Sequence, residues 1–229
     1  MCVGLEEKTE FKFAELSERA KSKARDAFRE GHLDYEWWDD IYKDVLNIGK
    51  LLGIYVGTRT GKYSNGNPWS QPDIYFAGFS CQGDGACFSG DIWLSQMKGA
   101  SARITAETND GDPRLVALAV QAETLYGRAA TIWTALRLAG TDVEDLHDLS
   151  DARFDVKNDG RGYFTRATPH DDDTWQDDLT KDVQAFVTAF SVWIYRSLEA
   201  EHDYLNSDEC IDAALEDYEK MFNEDGSMI

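Results

Sequence analysis

Apolar residues recur at helical spacing in five stretches of this chain. After Ser17, a good N-cap, Ala20, Ala24, Ala27 and Phe28 fall at steps that predict a short amphipathic helix ending near Gly31. A second pattern follows Asp34, with Trp38, Ile41, Val45, Ile48 and Leu52 on one face and Gly53 placed to cap its C-terminus. Glu36, Asp39, Asp40 and Asp44 sit in or near its first turns, where carboxylates suit the helix dipole. Asp112-Pro113 opens the strongest helical signal, which runs through Leu115, Leu118, Ala122, Leu125, Ala129, Ile132, Trp133 and Leu136 to Gly140. Thr174 with Asp177 resembles a capping box, and Leu179, Val183, Phe186, Val187, Phe190, Trp193, Ile194 and Leu198 then predict a second long core helix. A last helix is expected from about Ser207, carrying Ile211, Leu215, Tyr218 and Phe222 inward.

Elsewhere the pattern changes to that of strands. Between Asp73 and Leu94 two aromatic, β-rich runs flank Gln82-Gly83-Asp84-Gly85, and glycines on both sides of an aspartate suit a backbone that must turn tightly. Residues 151–169 alternate on either side of Asn158-Asp159-Gly160, which predicts a second hairpin. Residues 54–72 read as a short strand at Tyr55-Val56 followed by a polar loop holding Gly61, Gly66 and Pro68. The expected fold class is α+β, a single domain spanning 1–229. In it two hairpins form an antiparallel sheet covered by two long amphipathic helices, with further helices at both ends.

Charge changes this picture most. Lys and Arg number 23 against 43 Asp and Glu, a net charge of −20, so nucleic acid and anionic membranes would both be approached against a like field. Basic partners are favoured. No run of eighteen uncharged apolar residues is present, and the first twelve residues carry Glu6, Glu7 and Glu10 without an apolar export segment. Four scattered cysteines, Cys2, Cys81, Cys87 and Cys210, suit a reducing compartment, and the expected location is the cytoplasm. The acid excess is concentrated in the tail. Residues 199–225 hold eleven carboxylates against Lys220. Glu209, Asp212, Glu216 and Glu219 would line one face of the last helix, stepping by about 5 to 6 Å along its axis, as a row able to occupy a basic groove shaped for nucleic acid.

Several pieces, in order along the chain, carry a family resemblance. They are F-x-E-L-S-x-x-A-K-x-K-A from Phe13, D-Y-E-W-W from Asp34, I-Y-F-x-G-F-x-x-Q-G-D-G-A from Ile74, W-I-Y-R-x-L-E-x-E from Trp193, and D-Y-L-x-S-D-E from Asp203. Together they resemble a family of acidic bacteriophage-encoded proteins commonly labelled "antitoxin of toxin-antitoxin stability system". Ser80-Cys81 departs from the Trp-Ser expected in relatives. The resemblance implies a partner in the host cytoplasm and brings no set of catalytic residues.

Candidate chemistry is otherwise sparse. His32, His147, His170 and His202 have no ligand spacing with Cys81 and Cys87, so no zinc site is expected; those two thiols straddle the hairpin loop and are expected reduced. Asp171-Asp172-Asp173 lacks the register of a calcium loop and reads as a solvated helix approach. No nucleophile elbow surrounds Ser80 or Ser89, and neither enzyme chemistry nor a cofactor or metal is expected. The favoured function is therefore a non-enzymatic protein that binds and inhibits a basic host protein, a defence nuclease, toxin or nucleic-acid-binding factor, by nucleic-acid mimicry. Glu209, Asp212, Glu216 and Glu219, with Asp39, Asp40, Asp171, Asp172 and Asp173, would face the partner. Direct nucleic-acid or membrane binding is not expected, and homodimerisation stays open. The alternative is a small-molecule binder that sequesters a nucleotide signal at Gln82, Gly83, Asp84 and Gly85, with Arg153, Arg161 and Arg166 as the candidate bases.

Overall fold

The computed structural model describes residues 10–108, 112–139, 151–158, 163, 165–170, 177–217 and 220–229. In chain order the elements are β1 (Phe11–Lys12), α1 (Glu18–Arg29), α2 (Asp39–Leu51), β2 (Ile54–Val56), β3 (Thr58–Lys62), β4 (Pro68–Pro72), β5 (Ile74–Phe76), β6 (Ala86–Phe88) and β7 (Gly90–Trp93). They continue with α3 (Ala100–Thr108), α4 (Pro113–Leu138), β8 (Arg153–Asn158), β9 (Thr165–Pro169), α5 (Asp177–Leu205), α6 (Asp208–Asp217) and β10 (Met221–Phe222). The fold is α+β, as the mixture of helical and alternating patterns predicts. The chain forms two compact units. The described parts of Met1–Asp39 and Leu198–Ile229 make a terminal unit, and Asp40–Ser197 make a central one.

In the terminal unit the two ends of the chain share one core. Phe13, Leu16, Ala20 and Ala24 pack with Ile211, Leu215 and Phe222, all buried. Ser17 caps α1 as expected, its hydroxyl accepting from the Ala20 N–H at 3.3 Å. Ile211 and Leu215 point inward from α6, also as expected. Phe222 does too, but not from the helix. α6 stops at Asp217, and Phe222 lies in β10, paired antiparallel with Phe11 of β1. The following turn is closed by Gly226, at φ +85°, where any side chain would collide with the Ala20 carbonyl.

The central unit is built on a four-stranded antiparallel sheet ordered β2-β7-β8-β9. This corrects the expected sheet in detail. The β8–β9 hairpin is present, with Val156 opposite Ala167, but its neighbour is β7, and the hairpin holding the Gln82–Gly85 loop, β5–β6, stands as a separate two-stranded sheet. Residues 58–72 are not a loop: β3 and β4 form a third hairpin, Thr58 opposite Pro72 and Lys62 opposite Pro68, around a turn at Asn65-Gly66. Gly61 lets Trp69 lie across it. α3, unforeseen from the sequence, packs on α4.

Asp112 caps α4, accepting from Arg114 N–H at 2.9 Å, and Pro113 opens the helix. α4 buries Leu115, Leu118, Ala122, Leu125 and Ala129, whereas Ile132, Trp133 and Leu136 are only half-buried. α5 runs antiparallel to α4, tied to it by Arg128 with Asp182 and by Trp193 Nε1, which donates to Asp112 at 3.2 Å. Phe190 of α5 meets Phe88 of β6 edge-on at 5.4 Å, and Gln184 accepts from Ala167 N–H of β9 at 2.9 Å. The Thr174 start expected for this helix lies outside the described residues. Among the described residues no helix is long and apolar enough to cross a membrane.

Candidate functional site

The carboxylates of α6 do not form the free row that their spacing suggests. Arg25 and Arg29 of α1, one turn apart, face Asp212 and Asp208 of α6, also one turn apart. Arg25 donates to both oxygens of Asp212, at 2.6 and 2.7 Å. Arg29 donates to Asp208, and to the Asn206 carbonyl at 3.1 Å. The hydrogen bonds from Arg25, reinforced by its charge, hold the Asp212 carboxyl below the usual carboxylate range and raise the guanidinium's own affinity for its proton. Glu209 and Glu216 remain exposed on either side of Asp212; Glu219 lies outside the described residues, as do Asp171, Asp172, Asp173 and Arg161.

A second acidic surface in the same unit is assembled from two distant segments. Residues 34–39 read D-Y-E-W-W-D and residues 199–204 read E-A-E-H-D-Y, with no lysine or arginine in either. Trp37 meets the His202 ring at 5.7 Å, and His32 Nε2 lies 3.1 Å from the Leu205 carbonyl, so the first segment is seated against the last turns of α5. Tyr35 and Tyr204 are 57% and 58% exposed, among the most exposed aromatic residues described. Asp34, Glu36, Asp39 and Asp203 are exposed as well, and among the described residues Asp34, Glu36 and Asp39 form no ion pair with a lysine or arginine. Asp40, by contrast, carries Lys43 at 2.6 Å, a solvated pair one helical turn apart. Of the expected partner-binding residues, Asp39 therefore belongs to this surface. Tyr35, Tyr204 and the acids of α5 were missed as site residues, although D-Y-E-W-W and D-Y-L stand out in the sequence.

The Gln82–Gly85 loop is an ordered turn held by its own aspartate. Asp84 Oδ2 accepts from the N–H groups of Ser80 and Cys81 at 2.9 and 2.7 Å, and Gly83 takes φ +110°. Of the basic residues expected to serve this loop, Arg153 and Arg166 do not reach it. Arg153 sits at the opposite end of β8, donating to Asp91 at 2.7 Å and lying over the Trp93 ring. Arg166 is exposed and alternates with the buried Thr165 and Ala167, so it points to the other side of β9. Arg196 of α5 lies near the loop instead, lining the same cavity as Gly83, Asp84 and Gly85.

Cys81 is exposed and Cys87 is buried opposite Tyr75, and among the described residues neither is in a disulfide. Among the described residues no group of three His, Cys, Asp or Glu side chains is placed to hold a metal.

Residues 37–208 match the profile of a domain of unknown function, DUF8835, and since this is most of the chain, the protein belongs to that family. No curated protein and no solved structure matches the chain.

Proposed function

We propose that this member of the DUF8835 family is a non-enzymatic acidic protein that binds and inhibits a basic host protein. A phage-encoded role against a defence nuclease, toxin or nucleic-acid-binding factor follows from the resemblance given by its sequence motifs. The observation that supports it is the surface at Trp37 and His202, where two acidic segments meet and leave Tyr35 and Tyr204 exposed. Tyrosines on a negative field are what an arginine-rich partner needs. The rings offer apolar area and cation–π contact, and the surrounding carboxylates steer association and set which partners are accepted. With a net charge of −20, the whole molecule strengthens that field. Exposed Glu209 and Glu216 add to it, but the ion-paired Asp208 and Asp212 do not.

The test is retention of host proteins from a bacterial lysate on the immobilised chain, at low and high salt, compared with a Tyr35→Ala/Tyr204→Ala double variant. A basic protein should be held at low salt, released at high salt and lost by the variant. Retention that ignores both salt and the two tyrosines overturns the proposal.

A further inference from the structure

The central unit holds a cavity of about 370 Å³ between the Gln82–Gly85 loop, Tyr163 and the outer face of α5. One wall is the backbone of Gly83 and Gly85, where the absence of side chains leaves peptide groups uncovered. At its floor are Thr165 and Ser191, 8% and 6% exposed, with their hydroxyl oxygens 3.1 Å apart. Thr165 Oγ1 also accepts from the Phe88 N–H at 3.4 Å. Two hydroxyls carry two protons, and one proton is enough for the bond between them. Whichever hydroxyl donates, the other proton has no acceptor among the described residues. A buried donor of this kind costs free energy unless something brings it an acceptor.

The rim has the opposite character. Arg196 is exposed there, and Arg114 lies close enough to feel its positive charge. Arg114 is bound to Asp112 at 2.7 Å. Asp84 brings one negative charge to the cavity, but its Oδ2 is already taken by the Ser80 and Cys81 N–H groups. The lining also includes Tyr163, the exposed Val192 and the buried Ala86. Gln184 is engaged at both ends, accepting from Ala167 N–H and donating to the Thr165 carbonyl at 2.7 Å, and so stiffens the wall.

We infer that this cavity binds a nucleoside monophosphate. A flat base fits against Tyr163 and Val192, and a carbonyl or ring-nitrogen acceptor on its edge meets the spare hydroxyl proton of the Thr165–Ser191 pair. The phosphate stays at the rim beside Arg196, where it keeps part of its hydration. This order of groups follows from desolvation: the dianion is the group that tolerates burial least, and the base edge the one that tolerates it best. The volume suits one nucleotide.

Titration calorimetry on the full chain with AMP, GMP, CMP and UMP, and with ribose 5-phosphate and inorganic phosphate as probes, tests this. At least one nucleoside monophosphate should bind saturably, at one site, more tightly than ribose 5-phosphate or phosphate. Arg196→Ala should weaken it about tenfold, the worth of one charge-assisted hydrogen bond, and Ser191→Ala severalfold, while Arg166→Ala, on the other side of β9, should change nothing. Both cavity variants should keep the wild-type circular dichroism spectrum and Tm to within a few degrees. No binding by any of the four nucleotides, equal binding of phosphate alone, or affinity indifferent to Arg196→Ala in a folded variant each overturns the inference.

Discussion

The two acid-rich regions of the terminal unit, α6 and the surface around Trp37 and His202, look alike in sequence and differ in what their carboxylates do. In α6, Asp208 and Asp212 close against Arg29 and Arg25 of α1, across a core of Ile211, Leu215, Ala20 and Ala24. Their charge is engaged in ion pairs beside the core that the chain's two ends share. At the other surface Asp34, Glu36 and Asp39 have no such partner among the described residues, and the exposed Tyr35 and Tyr204 stand beside them. A carboxylate row is therefore not by itself a binding surface. Whether it faces outward depends on which helix carries arginines at the matching spacing.

The comparison can be broken or sharpened by variants of graded severity. Phe222→Ala, which empties a fully buried position beside Phe13, should cost about 3 to 5 kcal/mol in urea denaturation and take partner retention down with it. If the terminal core is lost and retention survives, the surface is in the wrong unit. Arg25→Ala leaves Asp212 partly buried without its bidentate partner and should cost about 1 to 3 kcal/mol in the same measurement. If α6 were a free outward row, the cost would be near zero.

Acid titration gives the next effect. The folded-state pKa of Asp212 is lowered, so its contribution is fully present above the ordinary carboxylate pKa of about 3.9 and is lost as the pH falls through the folded value. Asp212→Asn should lower stability at neutral pH and flatten the loss below about pH 4. An unchanged acid limb in thermal melts at stepped pH would mean that the Arg25 pair contributes little. The smallest effect on stability belongs to Tyr35→Ala and Tyr204→Ala. Each should stay within about 0.5 kcal/mol of wild type, although together they should abolish partner retention. A large stability loss from either would make them packing residues and not contact residues.

Local chemistry was legible wherever neighbours along the chain decide it. Ser17 and Asp112-Pro113 mark real helix starts, and the apolar spacing of α5 picks out its buried face. The β3–β4 hairpin was hidden because Thr58–Lys62 and Pro68–Pro72 carry polar residues and two prolines on a strand pair that buries little, so alternation gave no signal, although Asn65-Gly66 is a turn pair. The loop at Gln82–Gly85 was read correctly as an ordered turn, but its associated base was not. Arg153 and Arg166 are near it in hairpin order, yet strand direction carries one away and side-chain alternation turns the other aside.

Amino-acid order alone determined the caps and the inward faces of the long helices, because each depends on residues within a turn or two of one another. The class of fold follows from those patterns taken together, and the size of the negative charge from composition. Only the tertiary structure decided that β10 pairs with β1, that Arg25 meets Asp212, that Trp37 rests on His202, and that Arg196 lines the cavity behind the Gly83–Gly85 loop. These contacts join residues far apart in sequence. Their formation rests on the burial of shared apolar surface, which no local pattern of charges and turns encodes.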